Sequence, residues 1–357
     1  MVGTMPLLEQ SMTVSVVGTT FAATSDWCVD EKNLIANIKL QIDQTFPASQ
    51  NLLINTTWFG PQFDNSQWTI YKQLISNQQF DRVFLLAAAD PVFLSQEQIT
   101  SIQIETQSKL YLLGHFDSEY YFNFHSQVLP KYFVQYSMDQ LTLKEIKYTY
   151  VNYNRKPRDH RSALVNHLAQ EDLLKYGVVT LGKQHNIFSR EVAPSQHLSL
   201  NESPSDAVGN WGLDMSFGIP HDIHSLGNLD IWQQHFLNVV GETEFLPWDN
   251  MFISEKTWKP ILGLRPFVIN GQTKIYQYLR DQGFCTFNHY WPHIELENIN
   301  EMEVHNSIIQ LIKYLRELGK DSLQKLYRQM LPDLLHNQQH FEKFSQTQRC
   351  RIDNLFV

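Results

Sequence analysis

Positive charge, cysteine and long apolar runs are all scarce in this chain, and each shortage excludes a class of protein. The 28 lysines and arginines are outnumbered by 37 aspartates and glutamates, which gives a formal net charge of -9 over 357 residues. An acidic chain gains no general electrostatic attraction for nucleic acid or for an anionic lipid surface. The three cysteines, Cys28, Cys285 and Cys350, are far apart and lack metal-ligand spacing. They exclude a disulfide framework and point to a reducing compartment. No run approaches the ~18 apolar residues of a membrane-spanning helix. The first residues show no charged segment leading into an apolar stretch, so no signal peptide is expected. A cytoplasmic location follows from these shortages. Metal-binding patterns are missing as well: there is no HExxH and no Asp-X-Asp. Of the 14 histidines, His221, His224 and His235 cluster only loosely, and His289 and His293 flank Trp291-Pro292. A proline there breaks a shared helical face, and no metal is expected.

What the chain does have is apolar and aromatic residues, at 43% and 13%. That is enough to bury a core and offset the entropy of ordering. The length suggests two domains. Continuous apolar runs at 13–17, 51–58, 82–89 and 109–113 read as strands. Stretches with helical spacing, at 31–43, 67–75 and after Ser95, separate them. The pattern restarts at Lys147. Strands are expected at 148–153, 178–181, 236–240 and 266–269, and helices at 161–176, 255–262, 274–282, 303–318 and 320–345. Strands without alternation, separated by helices, indicate parallel sheets covered on both faces. Residues 184–228 read as a long polar loop, the length of a functional surface or an insertion. The chain is therefore expected to form two βαβ blocks, 1–146 and 147–357, the second ending in a helical tail.

Two motifs in the second block carry charge suited to chemistry. The first runs Asn154-Arg155-Lys156-Pro157-Arg158-Asp159-His160-Arg161 between a strand and a helix. A helix N-terminus offers free N–H groups and partial positive charge, and arginine binds phosphate oxygens in a bidentate manner. The group suits a diphosphate; the alternative is a solvated basic turn. The second motif comprises Glu242-Thr243-Glu244, then Phe252-Ile253-Ser254-Glu255-Lys256-Thr257-Trp258-Lys259, then Arg265 to Gly271. Carboxylates at the end of a strand can accept hydroxyls of a ribose or sugar, and Lys256 can balance a diphosphate. The alternative is an ordinary helix capped by Ser254.

The stretch from Phe252 to Gly271 resembles the donor-binding motif of the fucosyltransferase-like glycosyltransferases: aromatic, Ile, Ser, Glu, Lys, a helix, then a Pro-apolar strand and Gly. Glu242 is similar to the Glu of that family's Phe-Glu-Asn element, with Thr243 in place of the Asn. Arg161 falls where the family has a diphosphate-binding arginine. Leu279-Arg280, Gly283-Phe284 and Thr286-Phe287 also look like phage- and virus-encoded glycosyltransferases. The resemblance covers roughly 147–290. It implies an α/β fold of the GT-B type, two Rossmann-like domains facing across a cleft with C-terminal helices. Residues 1–146 would be the acceptor domain and 147–357 the nucleotide-sugar donor domain. The implied reaction is transfer of a sugar from a GDP- or UDP-sugar to an acceptor hydroxyl, inverting and metal-independent. Asn154, Arg155, Arg158, Arg161, Glu242, Ser254, Glu255, Lys256 and Lys259 would hold the donor. The acceptor would be a glycan, a lipid-linked sugar or a hydroxymethylated DNA base, in a bacterium or a virus-infected host cell. Trp258-Lys259-Pro260 departs from the small apolar helix of fucosyltransferases and leaves the sugar open. A non-catalytic sugar- or nucleotide-binding protein of the same fold is the alternative.

An inverting transferase needs a general base for the acceptor hydroxyl. The loop Gly114-His115-Phe116-Asp117 ends a strand of the first block, where sites in parallel sheets form. Asp117 or His115 is the expected base, with Asp90 and Asp26 as alternatives. Asp117 can equally be read as the cap of a following helix.

Overall fold

The computed structural model describes residues 13–17, 20–24, 29–47, 50–55, 80–86, 100, 103, 109–113, 123–134, 136–154, 158–181, 226–245, 251–300 and 302–353. The chain divides into two compact units. One comprises 1–124 with 348–357, the other 125–347.

The first unit holds a five-stranded sheet in sequential order, β1 (Thr13–Val17), β2 (Thr20–Thr24), β3 (Asn51–Asn55), β4 (Arg82–Leu86) and β5 (Lys109–Leu113). β1 and β2 are antiparallel, and the other pairings are parallel. The strand β2, with the sequence TFAAT, lies beside the expected first strand, and its short run Phe21-Ala22-Ala23 carried no strand reading in the sequence. Leu52, Leu53, Ile54, Val83, Phe84, Leu85 and Leu86 are all buried, as parallel strands covered on both faces require. α1 (Val29–Thr45) turns Ile35, Ile38 and Ile42 inward, on the i, i+3, i+7 face seen in the sequence.

The second unit is built on a parallel four-stranded sheet of β6 (Tyr148–Asn154), β7 (Gly177–Leu181), β8 (His235–Gly241) and β9 (Phe267–Asn270). Its order is β7-β6-β8-β9. The helices between these strands are α4 (Asp159–Gln170), α5 (Leu229–Gln234) and α6 (Glu255–Leu262), with α7 (Lys274–Asp281) after β9. Two helices precede the sheet, α2 (Phe124–Phe133) and α3 (Met138–Leu141). The sequence pattern restarts at 147, yet residues 125–146 belong to this unit, and the reason is bonding. The Leu143 N–H donates to the Tyr327 hydroxyl, the Gln233 side chain to the Asp139 carbonyl, and the Lys144 N–H to the Gln233 carbonyl. Leu141, Leu143 and Ile146 are buried.

The helical tail, Val304–Asp353, is interrupted at Gly319, where φ is 72° and ψ 164°. That conformation favours glycine. It separates α8 (304–318) from α9 (320–353), at the break the sequence pattern suggests. Arg265 staples the tail to the sheet. Its guanidinium donates to the carbonyls of Trp232, Leu141 and Leu264 and to the Tyr327 hydroxyl. Burial lowers its pKa to about 10, so it stays charged at neutral pH. Among the described residues, no helix is long and apolar enough to cross a membrane.

Candidate functional site

The strand order fixes where a site forms in the second unit. From β6 the chain moves to β7 on one side, and β8 then lies on the other side of β6. The connections diverge between β6 and β8, and ligands of open α/β sheets bind outside the carboxyl ends at such a switch point. β6 ends at Asn154 and β8 at Gly241. Both charged motifs of the sequence start there.

Two asparagines tie the strand ends together. The Asn152 amide donates to the Val239 carbonyl at 2.7 Å, and the Asn154 amide donates to Asn152 Oδ1 at 2.5 Å. The Asn154 N–H donates to Thr180 Oγ1 on β7. Asn154 lies flat against Gly241, and a Cβ added to Gly241 would come 2.3 Å from Asn154 Oδ1. Glycine is therefore required at 241 for contact rather than for backbone angle.

The first turn of α4 is zipped to the segment after β8. Arg161 is 3% exposed. Its Nε and Nη2 donate to the Glu242 carbonyl at 3.1 and 2.7 Å. His160 Nε2 lies 2.9 Å from the same oxygen. Arg158, the N-cap residue, pairs with Glu244 at 3.2 Å, with side-chain exposures of 33% and 9%. The His160 ring stacks on Phe245, and Phe245 on His305, with centroids 5.0 and 5.3 Å apart. His305 Nε2 is 3.0 Å from Asn270 Oδ1 at the end of β9. Burial pushes His160 down to about 3, helped by Arg161, Arg158 and His305 and opposed by its bond to the Glu242 carbonyl. Burial also lowers His305. Both imidazoles are neutral at pH 7.

The first turn of α6 is the second half of the site. Ser254 caps it, its Oγ accepting from the Lys256 N–H. The buried Glu242 carboxylate takes four donors. Oε1 accepts from the Ser254 N–H at 3.1 Å and Thr257 Oγ1 at 2.6 Å. Oε2 accepts from the Thr243 N–H at 3.0 Å and Ser254 Oγ at 2.6 Å. This carboxylate positions the helix end. Lys256 Nζ bonds Glu255 Oε1 at 2.8 Å and Ser254 Oγ at 3.2 Å. Glu255 also faces His125 of α2, at 3.6 Å. Burial opposes ionisation of Glu255, but Lys256, His125 and Lys259 together hold its pKa well below the usual carboxylate range. His125 is pushed down to about 4 by burial, with Glu255 working against that shift and Lys256 and Lys259 adding to it.

The structure thus gathers Asn154, Arg158, Arg161 and Glu242 around one switch point, and Ser254, Glu255, Lys256 and Lys259 at the helix whose cap Glu242 holds. Arg155, His115, Asp117, Asp90, Asp26, His221 and His224 lie outside the described residues. Three participants carried no sequence assignment: His125, Phe245 and His305. Glu244, part of the second motif, is turned to Arg158. His125 and His305 come from distant helices and had no local signal. Among the described residues, no group of three or more His, Cys, Asp or Glu could hold a metal ion. Chemically, the arrangement offers an anion the Arg158 and Lys256 cations, at two adjoining helix N-termini, beside neutral imidazoles.

Fold and site define an α/β chain with parallel sheets, Rossmann-like in its second unit, whose switch point is lined with paired charges. Comparison finds no matching family model, no matching curated protein and no matching solved structure.

Proposed function

We propose that the chain is a glycosyltransferase of the GT-B type that moves a sugar from a nucleotide-sugar donor to an acceptor hydroxyl. One observation carries the reading. The stretch from Phe252 that resembles a donor-binding motif and the arginine matched to the family's diphosphate-binding one, Arg161, meet at the switch point of a parallel sheet through Glu242. In this reading Arg158, Lys256 and Lys259 face the diphosphate. Arg161, Glu242 and Ser254 hold the two helix ends in register, and Glu255 orients Lys256. Cations and helix N-termini stabilise the negative charge on the departing nucleoside diphosphate. The acceptor oxygen attacks the anomeric carbon, the bond to the diphosphate breaks, and a base takes the hydroxyl proton. Asp117 or His115 of the N-terminal unit is the proposed base. A glycan, a lipid-linked sugar or a hydroxymethylated DNA base is the proposed acceptor.

The test is a thermal-shift panel of UDP-, GDP-, CMP- and dTDP-sugars. A donor at 100 times its Kd stabilises the native state by about 2.7 kcal/mol. One nucleotide class is expected to raise the melting temperature of the parent, and Lys256→Ala to lose that rise while folding normally. Asp117→Asn is expected to keep binding and lose sugar transfer. A parent that responds to no nucleotide sugar and transfers no sugar sinks the proposal. Binding without transfer to any acceptor favours a non-catalytic nucleotide-sugar-binding protein of the same fold.

A further inference from the structure

Arg158 is the best-exposed cation at the end of β6 among the described residues, and it already has an anion. The Glu244 carboxylate sits 3.2 Å from its Nη1, and that carboxylate is itself buried. The chain holds Glu244 firmly in that position. On its N-terminal side the Glu242 carbonyl is bonded by Arg161 and faces His160 Nε2. On its C-terminal side Phe245 is clamped between the His160 and His305 rings. These anchors on either side hold the backbone that presents the carboxylate to Arg158.

We propose that Glu244 is a specificity-determining residue that occupies Arg158 as a stand-in for phosphate, so that only a ligand with a multiply charged diphosphate displaces it. The inference rests on the reading of this site as a nucleotide-diphosphate site. The reasoning is electrostatic. A singly charged ligand offers Arg158 the same charge Glu244 already supplies, at the cost of breaking a formed bond. A diphosphate brings more charge and several acceptor oxygens, and its remaining oxygens can engage Lys256. Displacing Glu244 costs every anion the same, so a singly charged ligand with one contact to offer is left with no net affinity, and a polyanion keeps the surplus from its further contacts. Selectivity comes from a competing group built into the protein, a form of discrimination against the wrong partner.

The experiment measures inorganic pyrophosphate and acetate binding by calorimetry to the full chain and to four variants: Glu244→Gln, Glu244→Asp, Arg158→Gln and the double Arg158→Gln/Glu244→Gln. Glu244→Gln removes the competing charge and is expected to tighten pyrophosphate about fivefold, the fold-change that corresponds to an ion pair worth ~1 kcal/mol. Acetate is expected to gain by the same factor and to become measurable where the parent shows no acetate binding. Glu244→Asp keeps the charge but withdraws it by one methylene, and is expected to tighten binding by a smaller factor. Should Glu244→Gln fail to fold, the Asp variant decides. Arg158→Gln is expected to weaken pyrophosphate binding and to abolish the gain from Glu244→Gln in the double variant, since the two act as a pair. A parent that binds pyrophosphate, with Glu244→Gln and Glu244→Asp binding it equally or more weakly, overturns the competing role and leaves the site reading intact. No binding by the parent or any variant overturns both. Binding by Glu244→Gln alone supports the competing role in its strongest form.

Discussion

Glutamine in place of Glu242 tests whether that carboxylate serves the fold or a ligand. Each of its oxygens accepts one backbone N–H and one hydroxyl. Glutamine converts one oxygen into an amide group that donates. The hydroxyl at that position, Ser254 or Thr257, can rotate and accept from the new amide. The backbone N–H cannot, and is left buried without an acceptor. An orphaned donor costs about 1–3 kcal/mol, and losing the charge from the two remaining bonds costs about 1 kcal/mol more. The sum is about 2–4 kcal/mol. For a unit of this size each kcal/mol moves the melting temperature by roughly 2–4 °C. Glu242→Gln is therefore expected to melt roughly 4–16 °C below the parent in ligand-free buffer, followed by circular dichroism. Thr257→Val, which removes one hydroxyl and strands no backbone group, is expected to cost about 1 kcal/mol. If Glu242→Gln melts with the parent and loses only nucleotide binding, the four donors are not what the carboxylate is for, and Glu242 belongs among the ligand contacts.

Three further outcomes follow from the same bonding. Arg265→Met is expected to destabilise by about 3–5 kcal/mol in urea unfolding, because the carbonyls of Leu141, Trp232 and Leu264 and the Tyr327 hydroxyl lose their shared donor. Gly241→Ala puts a Cβ onto Asn154 Oδ1 and is expected to cost about 1–3 kcal/mol; adding Asn154→Ala should recover part of that cost, and strict additivity would place the clash elsewhere. Stability should fall as pH drops from 6.5 towards 4, since His125 and His160 have folded pKa values lowered by burial to about 4 and about 3. In that window the unfolded chain binds protons that the folded chain refuses, so each histidine contributes up to about 1.4 kcal/mol per pH unit. The contribution is fully present above pH 6.5, and His125→Gln should flatten the slope measured by urea unfolding at successive pH values.

Local elements with one dominant signal were legible in the sequence. The apolar runs at 236–240 and 266–269 are strands because both faces are covered, and Ser254 caps α6 as its position before Glu255-Lys256 suggests. The break at Gly319 was legible because the helical pattern restarts after it. α2 was not. Its sequence, FHSQVLPKYF, carries Pro130 inside and no acid in its first turn, so it lacks the usual marks of a helix start. Nor was the allegiance of 125–146 to the second unit, which rests on bonds to Gln233, Arg265 and Tyr327 far along the chain.

The site divides along the same line, and the division explains what each charge does. The segments 154–161 and 242–259 were legible as charged loops at strand ends, because their chemistry is local. Which charges turn inward was not legible, because an arginine that binds phosphate and one that binds a carbonyl look alike in sequence. The structure separates them by burial. Arg161 and the Glu242 carboxylate are enclosed and committed to the chain's own groups. Arg158 and Lys256 stay part-exposed, each held by a single carboxylate, Glu244 or Glu255. The two carboxylates are nearly buried, so an incoming anion must offset the cost of leaving one unpaired, and a polyanion with several acceptor oxygens is best placed to do so. Their partial exposure is what singles out Arg158 and Lys256 as the proposed contacts for a diphosphate among the buried charges that frame them.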